Sequence, residues 1–238
     1  MKEFTRHDYT EHHLQKYLRF YRSGRRKIKI KIVSGLLGDI AGKSVLDIGI
    51  GEGFFSRLCL QRKAKTISLD FADPMIQYHK ENNPDFTLVQ ADAQYLPFKN
   101  ESFDTILALD VIEHLPSPPN FLNEVNRVLR KGGRLILTTP NTGNVIEETL
   151  KMPFRVLSKF LPIKMREKDV DHCTHMKEFS VRELRQLLKK SKFKILTFNT
   201  FNENILYKVL DPTIFRFLPG FLKAYKWRSA YFLMEKDE

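Results

Sequence analysis

Three acids recur in order along the middle of the chain, each at the end of a short apolar run. Asp47 sits in Leu46-Asp47-Ile48-Gly49-Ile50-Gly51-Glu52-Gly53, Asp70 closes Thr66–Leu69, and Asp92 follows Phe86–Val89 in Gln90-Ala91-Asp92-Ala93. Glycines in such a turn let backbone approach a ligand closely, and the helix that follows offers free N–H groups. A dinucleotide fingerprint needs its third Gly three residues after the second. Here it comes after two, and an acid precedes the first Gly. That spacing weakens a pyrophosphate reading, and the acid suits a cationic ammonium or sulfonium ligand. Asp70, 17 residues beyond Gly53, is placed to accept two hydrogen bonds from ribose hydroxyls. Asp92 is placed to accept from an exocyclic adenine amine. Each acid also has an ordinary reading, as a turn cap, a loop acid or a helix cap. Three in order at successive strand ends face one crevice, where open α/β sheets bind ligands, so the joint reading is the functional one.

A second constellation follows the fourth apolar run. In Asp110-x-x-Glu113-His114 a helical turn would put positions i, i+3 and i+4 on one face. His114, Glu113 and Asp110 are then the general-base candidates beside the crevice. Carboxylates and imidazole together also suit a divalent ion, with His175 of Asp171-His172-Cys173-Thr174-His175 as a further ligand. The competing reading is a turn that positions the acceptor or a loop without metal. His114 and Glu113 are taken as the catalytic pair and no metal is assigned, with Asp110, Glu113, His114 and His175 the set left open. His12, His13 and His79 read as surface residues.

The elements that must position these groups alternate. Ser44–Ile48, Thr66–Leu69, Phe86–Val89, Phe103–Leu109 and Arg134–Thr138 read as strands. Between them, Phe54–Gln61, Pro74–Lys80 (Asp73 as N-cap) and the amphipathic Asn120–Arg130 read as helices, the last ended by Lys131-Gly132-Gly133. Such alternation implies right-handed βαβ units and a parallel sheet covered on both faces. Ser180-x-x-Glu183 is a capping box for a helix Val181–Lys190. Phe193–Phe198 and Ser229–Met234 read as two last strands. The expected domains are an N-terminal basic helical segment, residues 1–43, and a catalytic domain, residues 44–238, with cap insertions at 141–177 and 204–224.

With 42% hydrophobic residues among 238, the chain has the apolar material for a real core, which excludes a wholly disordered chain. Two Cys, Cys59 and Cys173, exclude a disulfide scaffold and a Cys-rich zinc module. The start lacks an apolar signal region and no run of 18 apolar residues occurs, so the expected location is cytoplasmic. The net charge of +12 is uneven: Ser44–Arg130 carries 8 Lys and Arg against 12 Asp and Glu, the flanks 32 against 16. Arg22–Lys31 alone holds six basic residues and no acid, and reads as a helix with a basic face. Such flanks suit an anionic membrane surface, an acidic substrate or nucleic acid, or are simply a solvated high-pI surface.

The stretches VLDIGIGEG, SLDFADPMI, QADAQYLPFKNESFDTILALDVIEHL and LRKGGRLILTTPN resemble the successive motifs of class I S-adenosylmethionine-dependent methyltransferases. Among these they look like the small-molecule group that includes quinone-biosynthesis enzymes. The resemblance covers Lys43–Asn141 and implies a Rossmann-like, seven-stranded, mostly parallel sheet with helices on both faces, plus N-terminal helices and cap insertions. It implies that Asp47, Gly49 and Gly51 line the methionine end of S-adenosylmethionine. Asp70 would hold the ribose, Phe71 stack near the adenine, and Asp92 with Ala93 meet it. Leu109 would sit beside the sulfonium. Glu52 departs from the pattern, where a small or hydroxyl residue is usual. The Asp110, Glu113, His114 and His175 set also resembles that of small-RNA 3′-terminal 2′-O-methyltransferases, with Asp110 in place of the first Glu.

The expected activity is methylation of an oxygen on a small or lipid-like acceptor, with peripheral contact to anionic membrane. The alternatives are an RNA methyltransferase that uses the basic flanks, and a non-catalytic protein that kept the cofactor fold. Charge in runs without interleaved aromatic platforms, and no recognisable RNA-binding module, argue against specific nucleic-acid recognition. The intact acids and glycines argue against loss of catalysis. The acceptor and the oligomeric state are not encoded in any motif.

Overall fold

The computed structural model describes residues 27–140, 176–177, 179–201 and 229–237. His12, His13, Cys173 and His175, and both expected cap insertions apart from residues 176 and 177, lie outside the described residues.

The chain forms α1 (Lys27–Leu37), β1 (Ser44–Ile48), α2 (Phe54–Gln61), β2 (Lys65–Asp70), α3 (Asp73–Asn82) and β3 (Thr87–Gln90). It continues with β4 (Phe103–Leu109), a 3₁₀ turn (Ile112–His114), α4 (Pro118–Val128), β5 (Leu129–Pro140), α5 (Val181–Lys190), β6 (Phe193–Phe201) and β7 (Ser229–Lys236). The strands make one seven-stranded sheet in the order β3-β2-β1-β4-β5-β7-β6. The first five are parallel, and β7 runs antiparallel between β5 and β6. The chain winds outward from β1 to β3, then restarts on the other side of β1 at β4. That reversal opens a crevice at the carboxyl ends of β1 and β4.

Successive strand residues face opposite sides, and the core divides accordingly. Val45, Leu107 and Ile136 pack with Val33 and Leu37 of α1 and Phe55 and Cys59 of α2. Leu46, Ile106 and Leu135 pack on the other face with Phe121, Leu122 and Val125 of α4 and Leu184 and Leu188 of α5. A smaller cluster of Ile50, Ala72, Met75 and Phe86 seats α3 at the β2–β3 end. The capping box opens α5 as expected: Ser180 Oγ accepts from the Glu183 N–H at 3.2 Å, and Glu183 Oε2 accepts from the Ser180 N–H at 2.8 Å. Among the described residues no helix is long and apolar enough to cross a membrane.

Several boundaries move. The N-cap of α3 is Ala72, not Asp73, which places Pro74 second in the helix. Helix α4 starts at Pro118 and stops at Val128, because Leu129 is already extended and pairs with Phe103. Lys131-Gly132-Gly133 therefore lies inside β5 rather than ending a helix. The register shifts between the Phe103–Leu129 and Thr105–Arg134 pairs. Gly132 has φ 67° there, and a Cβ on Gly133 would come within 2.7 Å of the Arg130 carbonyl oxygen. Only glycine fits that irregularity.

Candidate functional site

The turn after β1 sets the crevice floor. Gly49, Gly51 and Gly53 all have positive φ, at 74°, 54° and 78°. The Gly49 N–H donates to the Leu69 carbonyl at 2.8 Å, which ties the turn to the end of β2. Asp47 lies beneath this turn and is only 2% exposed. Its Oδ2 accepts from Ser56 Oγ at 2.6 Å, and Ser56 Oγ accepts from Ser68 Oγ at 2.7 Å. The hydroxyl chain joins β1, α2 and β2 under the glycines.

Asp70 ends β2, as expected, with Oδ1 accepting from the Ala72 N–H at 2.9 Å. Burial raises its carboxyl to about 6, and the backbone N–H groups of Ala72, Phe71, Gly51 and Ile50 oppose that rise. A carboxyl lifted this far by its surroundings is poised for hydroxyl donors that would stabilise its charged form. Phe71 beside it is 37% exposed, an aromatic ring left open to a planar ligand.

Asp92 is positioned from below. Its Oδ1 accepts from the Gln94 N–H at 2.8 Å, and Gln94 Nε2 also donates to Oδ2 at 3.2 Å. The other end of the buried Gln94 amide accepts from the Ser117 N–H at 2.8 Å, at the start of α4. Ala93 is buried. Arg127 of α4 fixes the rest of this loop, donating to the carbonyls of Leu96 at 2.9 Å and Phe98 at 2.7 Å. Gln94 and Arg127 escaped the sequence reading; neither belongs to a recurrent pattern in one chain.

Past β4 the expected helical face does not form. Asp110 is left-handed, with φ 58°, and only Ile112–His114 makes a single 3₁₀ turn. Helical spacing therefore does not govern Asp110, Glu113 and His114. Asp110 turns to the end of β5: Oδ1 accepts from Thr138 Oγ1 at 2.7 Å, and Oδ2 pairs with Lys29 of α1. Glu113 is fully buried, at 0% exposed, with Oε2 accepting from Thr139 Oγ1 at 3.0 Å and, among the described residues, no hydrogen-bond partner on Oε1. Burial first, then the Asp110 carboxylate, hold Glu113 well above the usual carboxylate range. Its backbone carbonyl accepts from the N–H groups of Met176 at 2.9 Å and Lys177 at 3.1 Å. His114 stays partly exposed on the lip and Leu109 is half-buried at the strand end. Among the described residues no group of three or more His, Cys, Asp or Glu could hold a metal ion. Thr138 and Thr139, which receive both acids, and Lys29 were missed; a Thr pair closing β5 was the available signal.

His79 is a correction. It is 0% exposed, not a surface residue. Met75, Ile76, His79 and Asn83 share one helical stripe, which turns the ring inward under the glycine turn.

A methyltransferase-domain family model matches residues 46–137. An uncharacterized protein of Methanocaldococcus jannaschii is 31% identical over 194 residues, 77% of this chain and 72% of that protein. The phthiotriol/phenolphthiotriol dimycocerosates methyltransferase 1 of Mycobacterium ulcerans is 33% identical over 114 residues, 46% of this chain and 42% of that protein. Against two further curated relatives the chain spans 32% and 53% of their length. A solved S-adenosylmethionine-dependent methyltransferase from Archaeoglobus fulgidus superposes with a TM-score of 0.65, covering 92% of this chain and 99% of that one, at 19% identity. That likeness is one of fold.

Proposed function

Because the chain belongs to the class I S-adenosylmethionine-dependent methyltransferases, we propose that it methylates an oxygen of a small or lipid-like acceptor. The observation that carries the donor half of this reading is the ordered row of Asp47, Asp70 and Asp92 at the carboxyl ends of three adjacent strands around one glycine turn. The donor set fits the nucleoside: a carboxyl ringed by backbone N–H groups for a ribose diol, an open aromatic face for adenine, and an acid locked by Gln94 for its amine. S-adenosylmethionine supplies a methyl group already activated on its sulfonium. The protein's own work is then mainly in-line positioning.

Roles follow for the named residues. Asp70 binds the ribose, Phe71 lies along the adenine, and Asp92 with Ala93 meets its edge. Gly49 and Gly51 give the methionine end its backbone approach, with Asp47 bracing the turn from beneath. Leu109 walls the methyl-bearing end. His114 faces the acceptor and takes its proton where one must leave. Glu113, buried and biased to its neutral form, positions the lip instead of exchanging protons with solvent. A lipid-like acceptor is supported by the Mycobacterium ulcerans relative, whose name gives it dimycocerosates as substrates. The basic flanks would draw such an acceptor, or the anionic membrane holding it.

The test is methyl transfer from labelled donor into separated lipid, small-metabolite and RNA pools. Label in lipid or metabolite, released as methanol by alkaline hydrolysis where a methyl ester formed and retained where an ether formed, is the expected result. Label confined to RNA would overturn it.

A further inference from the structure

The glycine turn is held by more than its own glycines. His79 Nε2 lies 2.7 Å from the Gly51 carbonyl oxygen, and Nδ1 lies 2.8 Å from Asn83 Nδ2. A carbonyl can only accept, so Nε2 carries the proton and bare Nδ1 accepts from the Asn83 amide. The Asn83 oxygen in turn accepts from Arg57 of α2. The imidazole stacks on Phe86 with centroids 5.7 Å apart, and the Arg57 guanidinium carbon lies 5.2 Å from the centroid of the same Phe86 ring. Burial lowers the His79 pKa, against the hydrogen bond to Gly51 that raises it, and the nearby Arg57 charge lowers it further, which favours the neutral ring that the two hydrogen bonds require.

This wedge touches the turn twice. Besides the Gly51 carbonyl, it closes the space over Gly53, where a Cβ would lie 2.6 Å from Phe86 and 2.9 Å from His79. The third glycine is therefore packed against the wedge, where a larger residue would clash. Gly51 is gripped at both ends: its N–H faces the Asp70 carboxyl and its carbonyl meets His79.

We propose that His79 is a positioning residue for the S-adenosylmethionine turn, fixing the Gly51 peptide so that its N–H supports Asp70 while the turn backbone stays open to the donor. The proposal rests on the roles given above to Gly51 and Asp70. It assigns His79 no contact with the donor and no part in methyl transfer.

Calorimetry with the demethylated product, S-adenosylhomocysteine, tests it without any acceptor. His79→Ala should weaken binding about tenfold or more, because the Gly51 carbonyl loses the imidazole donor. His79→Gln keeps an N–H donor and an acceptor and should restore binding to within about threefold. Leu188→Ala, on the core face of α5, should lower the melting temperature and leave affinity unchanged. Nitrogen-15 spectra should show His79 protonated at Nε2 alone at neutral pH. Full affinity in His79→Ala, equal weakening by Leu188→Ala, or an Nδ1-protonated ring would each overturn the proposal, and the spectrum decides even where His79→Ala does not fold. A wild-type chain that bound no S-adenosylhomocysteine would instead strike at the donor site itself.

Discussion

Lys29, in the first helix, closes an ion pair with Asp110, the residue that follows β4, so the N-terminal helix and the lip of the crevice share one charge contact. Lys29 is only 4% exposed. It lies one and two helical turns before Val33 and Leu37, the residues that seat α1 on the sheet. Thr138 takes the other Asp110 oxygen. Removing one partner of a buried pair leaves a charge without compensation and costs about 3 kcal/mol or more, whereas removing both costs less. Lys29→Met should therefore destabilise by about 3 kcal/mol, discounted for the partial exposure of Asp110. Adding Asp110→Asn, which tolerates the left-handed backbone, should recover part of the loss. Urea unfolding of the two single variants and the double variant measures the coupling; additive losses would mean the pair contributes nothing.

Asp70 gives a pH signature of opposite sign in stability and in binding. Its carboxyl is raised from 3.8 to about 6 by burial. The native state thus holds an extra proton between those values. The stability this gives is complete below about pH 3.8 and is lost as pH rises through about 6. Asp70→Asn stays neutral throughout, so it should match wild type in acid and exceed it above pH 6 by on the order of 3 kcal/mol. Ribose hydroxyls donate to the charged carboxylate, so wild-type donor affinity should climb through about pH 6 and level off. Asp70→Asn should bind about ten- to a hundredfold more weakly and lose that dependence. Calorimetry from pH 5 to 8, beside thermal melts, checks both arms.

Much of this layout was readable from residue order. Phe103–Leu109 and Val181–Lys190 have the bounds expected of them, because an unbroken apolar run and a capping box are local signals. Asp70 and Asp92 fell at strand ends for the same reason. What failed depended on contacts distant in sequence. Lys29 alternates with isoleucines in a run that reads as a helix with a basic face, yet α1 turns it inward and leaves Ile28 out at 42% exposed, toward a partner 81 residues away. Asp110, Glu113 and His114 have helical spacing but not helical backbone, because Asp110 bends to reach Thr138 at the end of a neighbouring strand. The Gly132-Gly133 pair reads as a helix stop and serves as a strand irregularity, a choice set by pairing with β4.

The glycines allow a graded comparison. Gly42, Gly49 and Gly53 all have positive φ, at 73°, 74° and 78°. A Cβ on Gly42 would meet open space, one on Gly49 would lie 2.6 Å from Val111, and one on Gly53 would meet both Phe86 and His79. Alanine at Gly42 should cost only the left-handed strain, about 1 kcal/mol. At Gly49 and Gly53 the clash adds to it, for a total of roughly 2–4 kcal/mol. Only those two should also lose affinity for S-adenosylhomocysteine. Equal losses of stability at all three sites, read by thermal melts, would show that the close contacts relax freely.

The Glu113–His114 turn separates positioning from proton transfer. Glu113 is held above the ordinary carboxylate range, so the stability of its neutral form is complete below the unfolded value of 4.5 and lost as pH rises through the folded one. Gln reproduces the neutral shape and still accepts from Thr139. Glu113→Gln should therefore keep near-wild-type stability and turnover at neutral pH, while Glu113→Ala should destabilise by about 2–4 kcal/mol through the hole it leaves. His114→Ala should retain donor affinity and lose turnover about 10²–10⁴-fold if the acceptor oxygen gives up a proton in the slow step. Chelator should change none of this. Both Asp110 oxygens are already engaged, one by Thr138 and one by Lys29, which leaves that acid poorly placed to ligate an ion. The decisive comparison is Glu113→Gln against His114→Ala under one saturating donor concentration. A Gln variant as inactive as the His114 variant, with activity in wild type that is lost to chelator and restored by a divalent ion, would replace the positioning role of Glu113 with that of a ligand.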